Sequence, residues 1–121
     1  FLIGQMTGLY DQVSVHDFGL TNRTEADGLA VGRASSFVGR KLRHILAGCY
    51  TISDRRLLEL LRWLYKTEGI FLEPSALAGF YGPVQTGMSE GWGDPFKRGH
   101  HLVWATGGSL VPVQERERYI K

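Results

Sequence analysis

The sequence has one cysteine, Cys49, so no internal disulfide framework can hold it together. That usage suits a reducing compartment, and a cytoplasmic location is expected. No apolar run approaches the roughly 18–20 residues of a membrane span, and Phe1 to Tyr10 lacks the basic start of a signal peptide. Charge of one sign is also missing: 14 basic residues stand against 12 acidic ones, giving +2, and the two signs mix along the chain. That balance offers no basic groove for nucleic acid and no membrane-binding patch. The histidines His16, His44, His100 and His101 show no zinc spacing. His100 and His101 are neighbours that would point to opposite faces of a strand.

Glycine is abundant, with 16 residues in 121, scattered singly and in pairs rather than in repeats. Tight loops around a site follow more naturally from this than a flexible linker. The length suits one domain or part of a larger one. A first residue that is Phe rather than Met suggests truncation or cleavage.

The periodicity predicts helices separated by short strands. Gln12 to Val15 alternates like a strand, and the stretch from Gly19 to Gly32 is rich in turn residues. A helix is expected from Arg33 to Ala47, with Val38, Leu42, Ile45 and Cys49 on one stripe and Gly48 as its C-cap. Ser53 is a good N-cap for a second helix to Glu68, whose apolar face carries Leu57, Leu58, Leu61, Leu64 and Tyr65, and which Gly69 closes. Ile70 to Leu72 reads as a buried strand, and Pro74 opens a small helix to about Phe80. Tyr81 to Gly99 reads mostly as loop, His101 to Ala105 as a strand running into the core, and Pro112 opens a polar terminal helix. Alternating strands and helices argue for α/β architecture.

Several motifs fail on context. Gly87-Met88-Ser89-Glu90-Gly91 has the letters of a nucleophile elbow, but Trp92-Gly93-Asp94-Pro95 denies it the following helix. Gly32 to Lys41 lacks the spacing of a phosphate-binding P-loop. The run His101-Leu102-Val103-Trp104-Ala105-Thr106-Gly107-Gly108 is more telling. It sets a hydroxyl and bare backbone at a strand's carboxyl end, where open α/β sheets bind ligands. Glu73, just before Pro74, falls at the same expected edge, although an acid there also suits a helix dipole. Asp27-Gly28 alone is a plain turn.

In combination, the segments Ala26–Ser35, Glu68–Gly79 and His101–Gly108 resemble the D-serine dehydratases (D-serine ammonia-lyases), in the same order and over nearly the whole chain. Gly8-Leu9 and Asp11 to Val15 fit the same pattern. Serine racemase and threonine deaminase are similar more weakly, through the Asp-Gly, Glu-Pro and hydroxyl-Gly-Gly elements. Arg98-Gly99-His100 and Ser109-Leu110 depart from the family pattern, and Val84 to Arg98 is the least family-like stretch.

The resemblance implies the C-terminal portion of the catalytic domain of a fold type II pyridoxal 5'-phosphate (PLP) enzyme, like the tryptophan synthase β chain. Helices would flank short, mostly parallel strands across residues 1–121. It implies D-serine as substrate, with β-elimination of water to give pyruvate and ammonia. By resemblance, Thr106 bonds the pyridine nitrogen, Gly107 and Gly108 let the backbone pass near the ring, and Glu73 is the acid near the ring. Asp27 and Gly28 belong to the loop closing the site. The Schiff-base lysine and the glycine-rich phosphate loop are expected in an earlier segment, because Lys41, Lys66, Lys97 and Lys121 lack a family-like context. So are the ligands of a monovalent cation such as potassium. Residues 1–121 are accordingly expected to be inactive alone, with the N-terminal portion as their partner. A non-catalytic regulatory or interaction domain derived from a PLP enzyme is the alternative.

Overall fold

A computed structural model describes residues 1–88 and 98–121. The chain divides into two compact units, one of Phe1–Thr24 with Gly28–Thr51 and one of Glu25–Asp27 with Ile52–Lys121.

In the first unit, α1 (Leu2–Thr7) is closed by Gly8 in the left-handed conformation. A 3-10 turn follows at Tyr10–Gln12, and a second at Val15–Phe18. The expected strand from Gln12 to Val15 is not formed. Its residue Ser14 instead caps the second turn, accepting from the His16 N–H while its own N–H donates to Asp17 Oδ2 at 2.7 Å. This reciprocal box offers the backbone local partners that compete with a strand. Helix α2 (Ser36–Leu42) begins where the Ser35 hydroxyl accepts from the Val38 N–H. It is shorter than the periodicity predicts, ending at Arg43 rather than Gly48. The expected stripe is not its buried face, since Val38, Ile45 and Cys49 are all exposed. Gly39 is buried instead, so close to Tyr10 that a Cβ there would lie 2.6 Å from the ring.

In the second unit, α3 (Asp54–Glu68) has the predicted signals at both ends. The Ser53 hydroxyl accepts from the Arg56 N–H, and Gly69 takes φ 68°. Leu57, Leu61 and Leu64 form its buried face and pack with Ala26, Leu72, Ala76, Leu77 and Tyr119. Full burial of each such leucine contributes roughly 2 kcal/mol. Pro74–Leu77 forms a 3-10 turn that runs directly into α4 (Ala78–Met88). Residues 81–88, expected as loop, are therefore helical despite Pro83. Pro112 caps α5 (Val113–Ile120), as its position suggests.

The α/β expectation holds for the helices and fails for the strands: among the described residues no strand is present. Ile70–Leu72 and His101–Ala105 keep the apolar composition of strands but have no ladder partner, and a strand exists only through its neighbour's hydrogen bonds. The second run does not enter the core either. Leu102 and Trp104 are 92% and 81% exposed, while Val103 between them packs near Gly79. The letters of the nucleophile elbow from Ser89 onward lie outside the described residues.

Candidate functional site

The second unit brings together two of the segments singled out in the sequence. Glu73 sits at the entry to the 3-10 turn with extended backbone, φ −65° and ψ 150°. Its carboxylate makes no capping hydrogen bond. It turns instead toward Gly107. A Cβ built on Gly107 would overlap the carboxylate, 2.5 Å from Cδ and 2.8 Å from Cγ. Gly108 is buried with φ 94°, and a Cβ there would meet the Phe71 carbonyl and lie 2.9 Å from the Leu72 Cα. Both glycines have positive φ, 64° at Gly107, which side-chain-bearing residues rarely adopt. The Gly-Gly pair is thus dictated twice, by backbone conformation and by close approach to residues 71–73.

Thr106 stands one residue before this junction. It is exposed, and its hydroxyl has no hydrogen-bond partner among the described residues. The junction therefore offers a free hydroxyl beside bare backbone and a carboxylate. This donor set suits the ring of a nitrogen heterocycle, where a neutral O–H can donate to a ring nitrogen. It does not suit a phosphate, which the neighbouring carboxylate would repel. PLP fits these residues at its ring end and would need its phosphate held elsewhere.

Asp27 opens a 3-10 turn, Asp27–Leu29, and is exposed. It makes no hydrogen bond or ion pair with Glu73. What ties its segment into the second unit lies just before it. Ala26 is buried in the core, the Glu25 N–H donates to Asp54 Oδ2 at 3.0 Å, and the Glu25 carboxylate accepts from α5. Gly28 belongs to the first unit. The structure thus joins Glu73 to Gly107 and Gly108 directly, with Thr106 beside them, and no hydrogen bond or ion pair joins Asp27 to that junction.

One residue of the site escaped the sequence reading. Arg116 of α5 donates from Nε to the Val111 carbonyl at 2.8 Å and from Nη2 to the Ser109 carbonyl at 2.6 Å. Its guanidinium also lies over the Phe71 ring, 5.4 Å from the centroid. One side chain so binds the turn after Gly108 to the segment before Glu73. An Arg in a polar terminal helix looks like solvated surface, and only its distance of one turn from Pro112 hinted otherwise.

A cleft of about 420 Å³ lies between α4 and the segment before Thr106, bounded by Gly79, Pro83, Thr86, His100, His101 and Val103 among others. Neither Glu73 nor Thr106 lines it.

No protein-family model matches the chain. Among curated proteins it is 50% identical, over an alignment 126 positions long, to D-serine dehydratase of Escherichia coli O157:H7 (strain EC4115). The same identity relates it to D-serine dehydratase 2 of Escherichia coli O6:K15:H31, and 49% to D-serine dehydratase 1 of Escherichia coli strain UTI89. Each alignment covers 98% of this chain and 28% of the relative, corresponding to a C-terminal portion.

Proposed function

We propose, from the likeness of this chain to the C-terminal portion of D-serine dehydratases, that it forms the ring-binding part of a PLP-dependent lyase. The reaction is the β-elimination of water from D-serine, after which the released enamine takes water back and hydrolyses to pyruvate and ammonia. The reading is carried by the junction of Glu73 with Gly107, which leaves the Thr106 hydroxyl free beside a bare backbone. A fold type II architecture follows from the same family likeness.

When bound, PLP supplies an electron sink for the α-carbon of the amino acid. The chain's own residues orient it and set its electronics. Thr106 would donate a hydrogen bond from its hydroxyl to the pyridine nitrogen. Because Thr is neutral, it does not hold that nitrogen protonated as an aspartate would. The sink is therefore moderate, which suits expulsion of a leaving group over storage of negative charge. Glu73 holds the turn that carries Thr106 by packing on Gly107, and Gly108 seats the same turn on Phe71 and Leu72.

The lysine that bonds the cofactor, the phosphate loop and the ligands of a monovalent cation such as potassium are assigned to the remaining portion of the enzyme. Residues 1–121 alone are then inactive. The exposed Leu102, Trp104 and Leu110, the last 93% exposed, support this assignment, since the remainder would cover such apolar surface. The enzyme is assigned to the cytoplasm.

The test is a chimera in which residues 1–121 replace the matched portion of the Escherichia coli O157:H7 relative. Pyruvate release from D-serine is expected. A folded chimera that binds PLP but leaves D-serine unchanged would count against the substrate, and one that binds no PLP would count against the whole reading.

A further inference from the structure

The turn that carries Thr106 is held on its far side by α5. Two glycines follow Thr106, and a Gly-Gly pair swings widely unless other contacts fix it. Thr106 is exposed and has no hydrogen bond of its own among the described residues. Beyond the pair, the Val111 N–H donates to the Gly108 carbonyl at 3.3 Å and closes the turn. Arg116 takes two further carbonyls of that turn, Val111 through Nε at 2.8 Å and Ser109 through Nη2 at 2.6 Å. The same guanidinium lies over the Phe71 ring, and that ring stands edge to face with Tyr65 of α3. The Phe71 carbonyl is in turn what Gly108 sits against. Phe71, Gly108, Ser109, Val111 and Arg116 therefore form a closed ring of contacts beside Thr106. Arg116 lies outside the three segments that carry the family resemblance.

We infer that Arg116 is a positioning residue that aims the Thr106 hydroxyl at the ring of the bound heterocycle. This rests on the PLP reading above. A hydrogen bond weakens steeply once its angle closes below about 120°, so a donor on a loose turn is a poor partner for a ring nitrogen. Arg116 removes that looseness with two charge-assisted hydrogen bonds, which are stronger than neutral ones. Its planar fork reaches two carbonyls at once, which a single ammonium does not reproduce. Glu73 meets the glycine pair at Gly107, and Arg116 holds the chain just past Gly108. The turn is gripped from both ends, and Thr106 stands where that grip puts it.

The experiment is a double-mutant cycle in the same chimera, read as the dissociation constant of PLP. Arg116→Leu covers the Phe71 ring without either donor, and Arg116→Lys keeps the charge without the fork. Each is made with Thr106 and with Thr106→Val, and all are measured well below their melting temperatures. Arg116→Leu is expected to weaken PLP roughly fivefold with Thr106 in place, the scale of one hydrogen bond. With Thr106→Val it is expected to change affinity by less than about twofold, because no hydroxyl is left to aim. Arg116→Lys should fall between Arg116→Leu and the parent, and it carries the same comparison if the leucine variant does not fold. A general loosening of the fold would lower affinity alike in both backgrounds, so the cycle separates positioning from stability.

Equal losses in the two backgrounds would overturn the inference, since Arg116 would then act on the fold and not through Thr106. Unchanged PLP affinity in both Arg116 variants, with Thr106→Val still weakening PLP, would also overturn it and leave the cofactor reading standing. PLP binding that is insensitive to Thr106→Val would overturn the placement of Thr106, and the positioning role with it. Absence of PLP binding by the unsubstituted chimera would overturn the cofactor reading itself and this inference together.

Discussion

The carboxylate of Glu73 occupies the space in which residue 107 would carry a side chain, 2.5 Å from Cδ to a Cβ built on that glycine. An acid and a glycine 34 positions apart are therefore one structural unit, and the turn bearing Thr106 depends on both.

Gly107→Ala is expected to destabilise the fold by about 2–3 kcal/mol, combining positive-φ strain with the overlap on Glu73. Glu73→Ala in the same background removes the overlap and leaves the strain. A double-mutant cycle in denaturant should then show coupling of about 1 kcal/mol or more between the two positions. Simple additivity would mean that the two do not meet.

Arg116 bridges the turn after Gly108 and the Phe71 ring with one guanidinium. Arg116→Ala is expected to cost about 1–3 kcal/mol in chemical denaturation, from two charged hydrogen bonds and a stacked contact. Arg116→Lys should recover less than half of that, because an ammonium cannot reproduce the planar fork.

Much of this arrangement was legible in the sequence, and the rest was not, for identifiable reasons. Both ends of α3 followed from Ser53 and Gly69, since caps are local chemistry, and its buried face followed from leucine spacing. Pro74 and Pro112 marked the starts they suggested. The strands failed because Ile70–Leu72 and His101–Ala105 have strand composition, whereas a strand also needs a partner that composition cannot show. Helix α2 ends before the predicted Gly48, and its buried position is Gly39 against Tyr10, a contact between distant residues that a stripe of apolar residues does not show. Thr106, Gly107, Gly108 and Glu73 were singled out by a strand-end argument whose strand does not form, and then by family likeness; the meeting of Glu73 with Gly107 is a geometric fact that neither gave. Arg116 and the Glu25–Tyr119 contact join residues far apart in the chain and carry no motif.

The Tyr119 hydroxyl has its pKa raised above the usual tyrosine value, first by burial and then by its hydrogen bond to Glu25, against the opposing charge of Arg118. A raised folded-state value means that the folded chain keeps this proton after the unfolded chain releases it. The contribution is therefore full below about pH 10 and is lost as pH rises through the folded value. Tyr119→Phe should flatten the stability profile above about pH 10 relative to the parent. Profiles that stay parallel there would contradict a Tyr119 hydroxyl held protonated by burial and by Glu25.

The most direct measurement is the dissociation constant of PLP for the chimera, with Thr106 and with Thr106→Val, alongside thermal stability. Thr106 is exposed and has no partner among the described residues, so its loss should leave stability unchanged. The account predicts PLP binding that weakens roughly fivefold in the valine variant, the scale of one hydrogen bond, at an unaltered melting temperature. Equal affinity in the two proteins would contradict the placement of Thr106 at the cofactor ring.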